Sequence, residues 1–154
     1  MASLMEDLID VLEKESAEYE NLLNLSMRKT PVIVSEDLEQ LAKITDEEQL
    51  IVSRINHLDH VRNEAVKDIA NVLNKDVTKL KIADLIEMLA PRPEEQQKLA
   101  AAFDALKEVV RNVARINGQN REHSKCFGNG TVQYEPAAFH ESGSGDSQLQ
   151  QGRL

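Results

Sequence analysis

LAAAFDALKEVVRNVARINGQN, running from Leu99 to Asn120, decides the fold of this chain. Leu99, Phe103, Leu106, Val110 and Val113 return every three or four positions, and Asn117 and Asn120 hold the next two places in that register. A recurrence of that kind puts one apolar seam along one face of a helix. Ala100, Ala101 and Ala102 add strong helix propensity. Such a seam serves equally as the core of a bundle or as a face offered to a partner helix. The two asparagines accordingly read as polar termination of a core or as groups that fix a partner's register.

Working back towards the N-terminus, Pro91-Arg92-Pro93 stops the preceding element, and Pro93 opens the last helix with Glu94 and Glu95 behind it. Ile82 to Leu89 predicts a short apolar helix, and Asn74-Lys75-Asp76 a turn. Ahead of the turn, a continuous helix is expected from Ser35, its cap, to Leu73, roughly 55 Å at 1.5 Å per residue. Its seam reads Leu38, Leu41, Thr45, Glu48, Val52, Ile55, Leu58, Arg62, Ala65, Ile69 and Val72. The first helix begins in a capping box, Ser3-Leu4-Met5-Glu6, and carries Leu4, Leu8, Val11 or Leu12, Tyr19, Leu22 and Leu23. It is expected to fade near Arg28, because Pro31 biases Thr30 away from helical geometry. No strand pattern appears. The expected fold is all-α: an elongated antiparallel bundle or coiled coil of three long helices plus one short one, over residues 1–127. From Gly128 to Leu154 the Gly, Ser and Gln content predicts a flexible tail.

Composition removes whole classes of function. A length of 154 residues implies one domain, and a net charge of −9 argues against nucleic acid and anionic membrane as partners. No run approaches the roughly 18 apolar residues of a membrane helix, and Met1 to Asp7 lacks the basic start of a signal peptide. Cys126 is the single cysteine, so no internal disulfide forms, and a reducing cytoplasm is the expected setting. With no Trp and 3% aromatics there is little to wall a substrate pocket.

Catalytic constellations fare no better. His57 and His60, with Asp59 and Glu64 nearby, have no third and fourth ligand at a recognised spacing, and read as surface histidines. The inward Glu and Glu-x-x-His pattern of di-iron bundles is not evident in the seams. Cys126 beside His123 lies at a frayed helix end that cannot hold a base in place. Glu13, Glu15, Glu18 and Glu20 read as a solvated face. Gly128-Asn129-Gly130 lacks the Lys-Ser/Thr ending of a phosphate loop. No enzyme, metal or cofactor is expected. Tyr134, Phe139 and Leu149 are isolated apolar groups of the sort that dock on binding, or occur by chance.

The order of elements does carry a resemblance. Leu12-Glu13-Lys14-Glu15 and Tyr19-Glu20-Asn21-Leu22-Leu23 come in the first helix, Asp46-Glu47-Glu48-Gln49-Leu50 and His60-Val61-Arg62 in the second. The short helix follows, then the stripe closing on Ile116-Asn117-Gly118-Gln119-Asn120. From about Leu4 to Tyr134 this resembles the FlgN family of flagellar export chaperones; the tail after Pro136 departs from it. The resemblance implies a cytoplasmic chaperone that holds the C-terminal segment of hook-associated proteins of the hook–filament junction, the FlgK and FlgL type. It prevents their premature assembly and delivers them to the flagellar type III export gate. The expected partner-binding residues are Leu99, Phe103, Leu106, Val110, Val113, Asn117 and Asn120. The competing expectation is a structural coiled-coil adaptor that pairs through its own seams.

Overall fold

A computed structural model describes residues 2–124 as four helices: α1 Ala2–Val34, α2 Leu38–Val72, α3 Ile82–Met88 and α4 Pro93–Ser124. The expected tail over 128–154, Cys126, Tyr134, Phe139, Leu149 and the Gly128-Asn129-Gly130 segment lie outside the described residues.

α1 is the helix on which the others pack, with α2 and α4 both against it. Its inward row is Met5, Leu8, Leu12, Glu15, Tyr19, Leu22, Ser26, Lys29 and Ile33, spaced by alternating threes and fours and all buried. α4 meets that row with Leu99, Ala102, Leu106, Val109, Val113, Ile116 and Asn120, buried at the same spacing. Polar bonds join Ser26 to Asn117 and Thr30 to Asn120, so α1 and α4 run parallel. Glu15 pairs with Arg62 and Lys29 with Glu48, so α2 runs antiparallel to both. Up, down, a short crossing helix, then up again: three long helices share one core. α3 sits against α4 and places Leu85 and Leu89 in that core, while Gln96 Nε2 donates to the Ile86 carbonyl at 2.8 Å.

α1 does not fade at Arg28 but continues through Pro31 to Val34. A proline inside a helix removes one backbone bond and costs about 3 kcal/mol in an isolated helix. Here burial of Ile33, the Lys29–Glu48 pair and the Thr30–Asn120 bond hold the last turns against α2 and α4. The helix begins at Ala2, so Ser3 lies within it rather than capping it. α2 runs continuously as expected, but its cap is Asp37, whose side chain accepts from Gln40 N at 3.1 Å. Ser35 instead ends α1, its hydroxyl donating to the Val32 carbonyl at 3.1 Å. The predicted α2 seam shifts at its ends and in its first half: Leu38 and Val72 are exposed, while Ile44 and Ile51 are buried.

Both long hairpin helices end in the same way. Asp37 N bonds Val32 O and Glu36 N bonds Ile33 O; Lys75 N bonds Ala70 O and Asn74 N bonds Asn71 O. These are Schellman closures, whose penultimate residue takes the left-handed conformation. Glu36 has φ 59° and Asn74 φ 55°. Asparagine takes that region at lower cost than glutamate.

Candidate functional site

The α4 seam is packed in the chain by itself. Leu99, Leu106 and Val113 are fully buried and Phe103 nearly so, all within the core shared with α1; Val110 and Asn117 are half-buried at its edge. The rows Leu99, Phe103, Leu106, Val110, Val113 and Leu99, Ala102, Leu106, Val109, Val113 share every second member. Spacing alone does not choose between them. The structure covers both sides at Ala102 and Phe103, and further along it buries Val109 while Val110 stays half-buried. Lys107 Nζ lies 4.7 Å from the Phe103 ring centre, over its face.

Where the apolar seam stops, a polar layer begins. Asn120, 3% exposed, donates through Nδ2 to the Ser26 carbonyl at 2.9 Å and accepts from Thr30 Oγ1 at 2.6 Å. Ser26 Oγ donates to Asn117 Oδ1 at 3.1 Å. One helix further, Lys29 Nζ donates to Glu48 Oε1 at 2.6 Å in a pair almost wholly withdrawn from water. Burial pushes the Glu48 carboxyl above its ordinary range, opposed by the bonded lysine. The two asparagines therefore latch the end of α4 to the end of α1. Ser26, Thr30 and Lys29 were not among the expected site residues. The signal for Ser26 and Lys29 was the unbroken three-and-four register of α1 past Leu22, which reaches Ser26, Lys29 and Ile33; Thr30 lies beside that row.

A second buried polar cluster corrects the reading of Glu15 as part of a solvated face. Glu15 is fully buried, and Arg62 Nη1 donates to both of its carboxylate oxygens, at 3.2 and 3.0 Å. Asp59 lies 3.5 Å from Arg62 Nη2. Burial, aided by a hydrogen bond to Asp59 and opposed by the Arg62 charge, pushes Glu15 up to about 9. From Glu15 to Lys29 on α1, and from Glu48 to Arg62 on α2, is the same number of residues, so both pairs belong to one antiparallel register.

His57, His60 and His123 are exposed, and among the described residues no three His, Cys, Asp or Glu side chains gather as a metal would need. No helix among the described residues is long and apolar enough to cross a membrane.

What remains, among the described residues, is an all-helical arrangement with a long last helix latched by asparagines, in a chain of net charge −9. The family model for FlgN protein matches residues 1–125. This chain belongs to the FlgN family. FlgN proteins are a family of flagellar export chaperones. The match spans all four helices of this FlgN chain, the latch included. No match was found among curated proteins, nor among solved structures.

Proposed function

We propose that this FlgN-family chain works in the cytoplasm as the export chaperone of hook-associated proteins, the FlgK and FlgL type, and hands them to the flagellar export gate. The observation that carries the reading is the family match over residues 1–125, which includes the whole of α4. The cargo segment is taken to be an amphipathic helix that orders only against an apolar face. The partner-binding residues are Leu99, Phe103, Leu106, Val110, Val113, Asn117 and Asn120 on α4.

Magnitudes decide how that face becomes available. Withdrawing Leu99, Phe103, Leu106 and Val113 from the core costs roughly 1.5–3 kcal/mol each, together comparable with the whole stability of a domain. A free, fully opened α4 is therefore too costly. Past Val113 the last turns bury only Ile116 among apolar side chains and are otherwise held by the Asn117 and Asn120 hydrogen bonds, with a net worth of about 1 kcal/mol apiece. Cargo enters at that end, beginning on half-buried Val110 and Asn117, and replaces contacts of α1 as it advances. The adaptor alternative rests on the same packing, in which the three seams face one another within one chain, and the family match is what favours the chaperone reading.

The test uses the full chain and a C-terminal fragment of the cognate hook-associated protein. A one-to-one complex is expected, with hydrogen exchange altered over the last turns of α4. Val110→Asp should weaken it at least tenfold while leaving the helical circular dichroism unchanged. Equal binding to Val110→Asp, with exchange in α4 untouched by the fragment, would remove the assignment.

A further inference from the structure

On the α1–α2 pair a long groove is lined by those two helices alone. It consists of two adjoining hollows, of about 490 and 400 Å³, which share Lys14, His57 and Leu58. Its walls run from Leu4 to Glu18 on α1 and from Asp68 back to Ser53 on α2. Fifteen residues of α1 and sixteen of α2 make a trough of roughly 21 Å, enough for about four turns of another helix. Apolar groups, Leu4, Ala17, Leu58, Val61 and Ala65, recur along it, and Val61 is 38% exposed.

Charge along the trough is uneven. Towards Ser53, each cation on its walls that meets an acid does so in a pair: Arg54 with Glu18 at 2.8 Å and Lys14 with Asp10 at 2.9 Å. At the other end stand Asp7, Glu64 and Asp68, exposed, with no ion pair among the described residues. The groove therefore has an apolar floor, a balanced half and an acidic end.

We propose that this groove docks an amphipathic helix of a partner protein, apolar along one face and carrying lysine or arginine in the terminal turn that lies against Asp7, Glu64 and Asp68. Three or four apolar side chains at spacings of three and four fill the floor over Leu58, Val61 and Ala65, as in other helix-in-groove complexes. The basic turn supplies the charge that the acidic end lacks and raises the rate of encounter with an acidic molecule. A second copy of this chain is the wrong occupant. It brings the same surplus of acid, at a net charge of −9 on each copy, into one interface. The surface is separate from the α4 seam and does not rest on the cargo reading, so Val110→Asp should leave it intact.

Two labelled sixteen-residue helical peptides serve as probes, each with leucines at spacings of three and four and three lysines, confined to the first turn in one and to the last in the other. Fluorescence anisotropy with the full chain should show saturable binding of at least one, ten times tighter than that of the same peptide with glutamates for lysines. Val61→Glu should abolish binding. The double variant Asp7→Lys, Asp68→Lys should weaken the lysine peptide at least tenfold and restore the glutamate peptide. All three positions are exposed, and unchanged circular dichroism shows that the variants fold. The proposal falls if neither lysine peptide saturates, or if charge reversal leaves the preference unchanged. It falls equally if sedimentation finds a dimer of the chain that Val61→Glu dissolves, for then the groove belongs to a second copy.

Discussion

Glu15 is buried against Arg62 and Asp59, and its carboxyl is pushed up to about 9 chiefly by burial. In the unfolded chain the same group titrates near its ordinary value of 4.5. Between those two values the folded state keeps a proton that the unfolded state releases. Stability from this group is therefore complete below about 4.5 and drains away as pH rises towards 9. One group sets an upper limit of about 1.4 kcal/mol per pH unit on that slope. Urea unfolding from pH 5 to 8.5 should show falling stability, and Glu15→Gln, which cannot ionise, should flatten the curve. A slope that persists in the variant would assign it to other groups. The other buried pair follows a different rule. Lys29→Met strands Glu48, which is 1% exposed, and should cost about 3 kcal/mol or more at neutral pH. Lys29→Met with Glu48→Leu removes both charges and should recover most of that loss in the same unfolding measurement.

At the scale of elements, the ends of helices hold the differences between expectation and structure. Where the chain alone decides, the reading is close: Pro93 opens α4, the segment after Pro91 is a break, and α3 begins at Ile82. The end of α1 is decided elsewhere. Local propensity stops it at Pro31, while the burial of Ile33 and the bonds of Lys29 and Thr30 to partners on other helices carry it to Val34. Charged residues mislead for the same reason. Glu15 and Lys29 sit in the inward register of α1, but a carboxylate or an ammonium reads as surface until its partner on α2 is known. On α4 the members common to both candidate rows, Leu99, Leu106, Val113 and Asn120, were legible; the burial of Val109 rather than Val110 was not. The turn after α1 offers a test of local strain. Glu36 holds a left-handed conformation at φ 59° and is exposed. Glycine relieves a strain of about 1–2 kcal/mol and returns about 0.5–1 in lost chain entropy. Glu36→Gly should therefore raise stability by about 0.5–1 kcal/mol, seen as a higher denaturant midpoint with unchanged slope.

The whole molecule is an up-down-up bundle whose first helix serves both neighbours, so anything that takes α4 must replace what α1 supplies. The latch lies where replacement is cheapest. Thr30 is on α1, outside the proposed cargo face, and donates to Asn120 at 2.6 Å. Thr30→Val keeps its shape and removes that donor, weakening the closed end by about 1 kcal/mol. The population with the last turns of α4 open then rises about fivefold, and a ligand that needs this state gains apparent affinity in proportion. Hydrogen exchange should quicken over residues 113–123 while the first turns of α4, anchored by Leu99 and Gln96, stay protected. A C-terminal fragment of a hook-associated protein should bind Thr30→Val several times more tightly than the parent chain. Faster exchange with unchanged affinity would separate the two events, and would mean that cargo is held on a surface that α4 never has to uncover.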